Sequence, residues 1–247
     1  MPDGHFRILV VYDWLEDFKI AKCPEFLIAL ISDSGVKPNK VTFHVSGKER
    51  RRTIGKKQKL LNIISPFTDY DWVALDETTK NNFLLLQSHL SWSSGFVKTY
   101  QVARPPGAFQ LKDCVRHLTL ACQEVTPRYG FTYIGRGAEA IFYAGGISSP
   151  TYNLQKTKQV SDLGRSLNRT KEHLSGYLHD VYELNVLSPL HLSCPVFGRT
   201  LASWIEEGRR GQLVRIKDEV HVWLVPDDVR PAVRLQLFEE GVLIASV

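Results

Sequence analysis

Three times along this chain a pair of short, β-rich runs is split by a turn signal, and that recurrence limits the possible folds more than any other feature. Residues 83–92 and 96–102 flank Ser93-Ser94-Gly95, residues 129–134 and 140–144 flank Gly135-Arg136-Gly137, and residues 213–216 and 220–225 flank Lys217-Asp218-Glu219. Runs this close in sequence pair as antiparallel hairpins, because a parallel pair needs a crossover of about a dozen residues or more. The apolar run at 6–12 adds a buried strand ended by Asp13. Residues 40–45 alternate, with Val41, Phe43 and Val45 on one face, and 72–75 form a further short strand.

Helical spacing appears between these runs. Leu111, Val115, Leu118, Ala121, Cys122 and Val125 make one apolar face, closed by Pro127. Ile20, Phe26, Leu27, Leu30 and Ile31 make another, with Pro24 suited to a first turn, and Leu60, Leu61, Ile63 and Ile64 a third. Thr200 is placed to cap a helix over 201–207, and Asp227-Asp228 to cap one over 229–240 that Gly241 stops before a last strand at 242–245. The expectation is an α+β fold, a largely antiparallel sheet with helices packed on one side. Strand, strand, helix, strand recurs at 83–134 and 212–245, the pattern that two similar halves would leave. Residues 148–171 are polar and read as a flexible or partly helical connection between an N-terminal part (1–147) and a C-terminal part (172–247), two parts or one continuous domain.

At 247 residues, with 43% hydrophobic and 23% charged content, the chain has the makings of a globular core. Its apolar stretches fall far short of the roughly 20 residues a membrane helix needs, and its start shows no secretory pattern. A cytoplasmic protein is expected. Cys23, Cys114, Cys122 and Cys194 fit no zinc-ribbon spacing, and a reducing compartment keeps them as buried thiols.

Charge is concentrated. Lys48, Arg50, Arg51, Arg52, Lys56, Lys57 and Lys59 are seven positives which, less Glu49, leave +6 in one segment, so against the chain's total of +5 the remainder sums to −1. A cationic segment on a near-neutral body reads as a loop or helix face aimed at an anionic partner, or as a solvated face. These seven residues are the candidate anion- or partner-binding site. Phosphate contact through them would be nonspecific, since no aromatic residue nearby supplies base stacking.

Catalytic patterns are weak by comparison. Asp13 after the first strand stands where α/β enzymes place a carboxylate, but no glycine-rich phosphate loop follows, and it reads as a cap before a helix. His89 and Ser91 share one strand face, yet no nucleophile elbow surrounds them. The eight histidines include no HExxH and no i, i+4 pair, so neither a metal site nor a cofactor is expected. His179-Asp180 reads as a solvated pair at a helix end.

The stretch from Tyr129 onward carries a resemblance. Tyr129-Gly130-Phe131, Phe142-Tyr143-Ala144-Gly145-Gly146, the run from Asp180 to Ser188 with His191-Leu192, Trp204-Ile205, Arg210-Gly211-Gln212-Leu213 and Val222-Trp223-Leu224-Val225-Pro226 are similar to a group of bacterial proteins that includes polymorphic-toxin immunity proteins. The resemblance, mainly over residues 129–247, implies a non-enzymatic protein of bacterial conflict or defence type that sequesters a protein partner such as a toxin. Inhibitors of basic nucleases tend to be acidic; a basic inhibitor implies an acidic target or a binding face away from the tract. The alternative from the residues is nonspecific nucleic-acid association through the tract.

Overall fold

The computed structural model describes residues 4–14, 37–45, 48–55, 62–63, 72–77, 82–87, 99–136, 143 and 154–244. Among them, ten strands form one antiparallel sheet. In chain order these are β1 (His5–Trp14), β2 (Lys40–Val45), β3 (Lys48–Thr53), β4 (Trp72–Glu77), β5 (Asn82–Gln87), β6 (Thr99–Arg104), β7 (Pro127–Arg136), β8 (Leu184–Leu187), β11 (Gln212–Lys217) and β12 (Val220–Leu224). Two more, β9 (Pro195–Val196) and β10 (Arg199–Thr200), make a separate small hairpin. Across the sheet the order is β11-β12-β8-β7-β1-β6-β5-β4-β2-β3.

The expected α+β class and antiparallel sheet are what the structure has, but the helices cover both faces. Ile8, Leu9, Val10, Val11 and Tyr12 of β1 are all 0% exposed, and alternation sends them to opposite sides. Each side therefore needs its own cover. Helix α1 (Leu111–Glu124) lies on one face, where Cys114, Leu118, Ala121 and Cys122 pack on Leu9, Val11, Val41, Leu75, Val102 and Leu184. On the other face α2 (Leu154–Arg165), α4 (Leu201–Glu207) and α5 (Arg230–Glu239) cover Val10, Tyr12, Tyr129, Phe131, Leu187 and Trp223. The four-residue α3 (Pro189–Leu192) sits between β8 and β9.

Two expected hairpins are present, β5–β6 and β11–β12. The third is not: β7 pairs with β1 on one side and β8 on the other, and Tyr143 is helical. The glycine-rich turn signal at 135–137 marks the end of a long central strand. The polar stretch read as a connection is, over Leu154–Arg165, a helix; with the π turn Ser166–Thr170 it buries Val160, Leu163 and Leu167. A few apolar residues at helical spacing outweigh its polar average. The C-terminal strand shrinks to a parallel bridge between Leu178 and Leu243.

Local chemistry fixes several ends. Thr200 Oγ1 accepts from Ser203 N at 3.2 Å, the cap foreseen. Asp227 does not cap α5 but pairs with Arg230 at 2.8 Å. Arg210 lies 4.1 Å over the Trp204 ring and donates to Trp204 O, while its carbonyl accepts from Trp223 Nε1 at 2.8 Å, tying α4 to the β11–β12 hairpin. The foreseen helix around residues 20–31 lies outside the described residues, as does that at 60–64 except for 62–63, which are helical. No helix among the described residues is long and apolar enough to cross a membrane.

Gly130 marks the tightest backbone approach, for a Cβ there would stand 2.5 Å from Val10 O. Gly130→Ala is expected to destabilise the chain by about 2 kcal/mol or more, the range for overpacked sites. Gly107→Ala, where a Cβ meets nothing within 4 Å, is expected to be near neutral in the same urea titration.

Candidate functional site

The polar groups gather beneath the second face of the sheet. At the end of β1, Asp13 departs from strand geometry with φ 43°, an uncommon conformation for a non-glycine residue. Its Oδ2 lies 3.1 Å from His173 Nε2, and His173 Nδ1 lies 3.0 Å from Ser166 Oγ. Ser166 Oγ also accepts from His173 N at 3.2 Å, so the hydroxyl proton is free to point at Nδ1 and the ring proton at Asp13. This is a serine–histidine–aspartate line in connectivity. Ser166 and His173 are both 0% exposed.

A second line runs beside it. His179 Nε2 donates to Gln159 O at 3.2 Å, which leaves Nδ1 to accept from Tyr182 OH at 2.5 Å. Tyr182 oxygen in turn accepts from Tyr143 OH at 2.8 Å, and Tyr129 OH accepts from His179 N at 2.7 Å. Phe131 stacks on Tyr182 with centroids 4.1 Å apart. Burial raises the Tyr12, Tyr129 and Tyr182 hydroxyls above the ordinary range and lowers His179, so all four stay neutral. Asp180 accepts from Val181 N at 2.8 Å and from Arg234 Nε at 2.6 Å. Asn185 bonds Tyr182 N and O and the Trp223 carbonyl.

His191 closes the cluster. It stacks on Tyr129 at 5.1 Å, and Nδ1 accepts from Ser188 N at 3.2 Å with Ser188 Oγ 2.8 Å away. Its Nε2 is buried without a hydrogen-bond partner. Burial, with His173 nearby, pulls His191 down to about 4.

The residues carrying the resemblance are in large part this network: Tyr129, Phe131, Tyr143, Asp180, Tyr182, Asn185, Ser188 and His191 are all in it. His179-Asp180, read as solvated, is buried at 0% and 8%. Asp13 serves His173 through its carboxylate, and the residues after 14, which a helix capped or preceded by Asp13 would occupy, lie outside the described residues. Ser166 and His173 had no signal in sequence, since their partner lies 160 residues away at the end of β1. Ser188 did have one, a serine before Pro189 at a helix start. His89 and Ser91 lie outside the described residues. Cys114 and Cys122 are buried thiols of α1, with the Cys114 thiol pushed up to about 12 by burial. No group of three or more His, Cys, Asp or Glu among the described residues could hold a metal ion.

The basic tract is neither loop nor helix entry where it is described. Lys48, Arg50, Arg51 and Arg52 lie on β3, the outermost of the described strands at that edge of the sheet, and all of β3 is exposed. Pairing with β2 puts Arg50 opposite Phe43 and Arg52 opposite Val41, on the α1 side, while Arg51 faces the other way and meets Glu49 at 2.7 Å. Charge on an outer strand is a common device against edge-to-edge association. Lys56, Lys57 and Lys59 lie outside the described residues.

No family model matches the chain, and no curated protein does. Among solved structures the chain is similar to Pseudomonas aeruginosa T6SS protein PA0821, with 12% identity and a TM-score of 0.57 over 98% of this chain and 74% of that one. The likeness is one of fold.

The depressed histidines make stability acid-sensitive. An unfolded histidine takes up its proton near pH 6.5, whereas His191 holds out until about 4, so stability is complete above 6.5 and falls as pH drops through that window. His191 alone is expected to account for about 3 kcal/mol by pH 4. Urea titrations at pH 7.5, 6, 5 and 4 measure it, and His191→Gln should flatten the slope.

Proposed function

We propose that the chain is a non-enzymatic binding protein of bacterial conflict type that acts in the cytoplasm by protein–protein contact, in the manner of an immunity protein. The observation that carries this reading is the sealing of its most reactive-looking groups. A nucleophile must come within roughly 3–3.5 Å of its substrate atom, and Ser166 and His173 at 0% exposure leave no such approach. The polar line instead pins the end of β1 to the turn at 166–174. The likeness of residues 129–247 to toxin-immunity proteins supports the conflict setting, as does a fold shared with a T6SS protein. A net charge of +5 favours an acidic partner.

Co-expression with the product of the adjacent gene tests the proposal. Relief of that product's growth arrest, with co-elution of the two proteins, is expected. Undiminished arrest with no complex would sink the reading.

A second reading rests on β3, whose four cations are all exposed. If they hold nucleic acid, retention should weaken with salt at a log–log slope of about −3 to −4 for four phosphate contacts. Neutralising Arg50, Arg51 and Arg52 to Gln should then abolish it. Absence of retention by the unaltered protein at about 50 mM salt, where phosphate contacts are strong, removes this reading.

A further inference from the structure

The register of β1 against β7 leaves one arginine without the partner the ladder offers it. Tyr12 lies opposite Tyr129 and Trp14 opposite Pro127, which sets Asp13 across from Arg128. Opposite charges so placed ordinarily form a cross-strand pair. Asp13, turned by its φ of 43°, gives its carboxylate to His173 instead. Among the described residues Arg128 finds no ion-pair partner, and its Nε is buried without a hydrogen bond. A buried donor in that state costs stability, and the guanidinium charge is left without a counterion among the described residues.

Arg128 lines a cleft of about 330 Å³. Leu174, Pro189 and Leu190 give it an apolar wall, and Ser188 and Glu219 add polar groups. Leu190 is 58% exposed at the rim, and Lys217 reaches the cleft's Thr126 Oγ1 at 3.2 Å. The size is at the small end of the about 300–1,000 Å³ that ligand pockets occupy, room for a side chain or two. Two cations, Arg128 and Lys217, against one carboxylate, Glu219, leave a single net positive charge, which a monovalent carboxylate balances and a phosphate dianion overshoots.

We infer that this cleft receives an acidic side chain of a protein partner: a carboxylate taken by the Arg128 fork, with the adjoining apolar atoms of the partner laid on Leu174, Pro189 and Leu190. The inference rests on the binding-protein reading above and names the partner's chemistry. Arginine suits the role because its planar donors match a carboxylate two at a time. The nearby apolar wall excludes water and strengthens that contact.

The test uses the full-length chain labelled with ¹⁵N, observing the Arg128 Nε–Hε signal and the amides of Ser188 and Leu190. The probe is N-acetyl-glutamate methylamide, with the glutamine analogue and inorganic phosphate as comparators. The glutamate probe is expected to saturate these shifts, about tenfold or more tighter than its glutamine analogue, the difference made by a hydrogen bond to a charged group. Arg128→Met should abolish the response while leaving the melting temperature unchanged or higher, since it removes a buried donor with no partner; Arg128→Lys should weaken the response without removing it. A lowered melting temperature in Arg128→Met with an unaltered titration would overturn the inference and make Arg128 structural. Phosphate binding as tightly as the glutamate probe would overturn the carboxylate assignment. If Arg128→Met still protects cells in the co-expression assay, the cleft is not the partner's seat and the binding reading stands. If the unaltered chain gives no protection yet the glutamate probe saturates the cleft, the binding reading falls and the carboxylate site stands.

Discussion

β1 is the strand on which the rest of the sheet depends. It pairs with β6 from Arg7 to Tyr12 and with β7 from His5 to Trp14, so the strands on either side of it meet only through its backbone. Because both its faces are buried, it must be apolar at successive positions, unlike a strand with one wet side. That requirement explains why Ile8 to Tyr12 is apolar at five successive positions and why helices are needed above and below.

Where β1 ends, the interior changes character. Tyr12 stacks near Tyr129 and Phe131, and Asp13 begins the polar line to His173 and Ser166. Burying this much polarity is tolerable only where donors and acceptors are matched. Most are: Asn185 is held at both ends of its amide, and His179 at both nitrogens. His191 Nε2 and Arg128 Nε are among the exceptions. One is deep beneath the sheet, whereas the other borders a cleft.

Much of the fold was legible from residue pattern. β2 and α1 were placed to within a residue, because alternation in Val41, Phe43 and Val45 and helical spacing from Leu111 to Val125 leave few alternatives. The errors share a cause, which is that neighbours in space are not neighbours in sequence. The runs at 129–134 and 140–144 were paired with each other because nothing local announces β1 and β8 as the partners of β7. In the basic tract charge hides strand propensity, and over Lys48–Thr53 only pairing with β2 makes it a strand. The polar network was half visible, as a set of aromatic, Asn and Ser positions with no stated use. Its other half, Asp13 with Ser166 and His173, is joined solely by folding.

The outer strand β3 has a consequence for the molecule in company. A ten-stranded sheet offers its backbone to any extended chain that comes alongside, its own copies included. Two β3 strands laid together would bring four cations against four, with one Glu49 from each to relieve them. The repulsion fades as counterions shorten its reach, to about 3 Å at molar salt. Rising ionic strength would therefore weaken this charge barrier to edge-to-edge pairing of copies, and dilute buffer would preserve it.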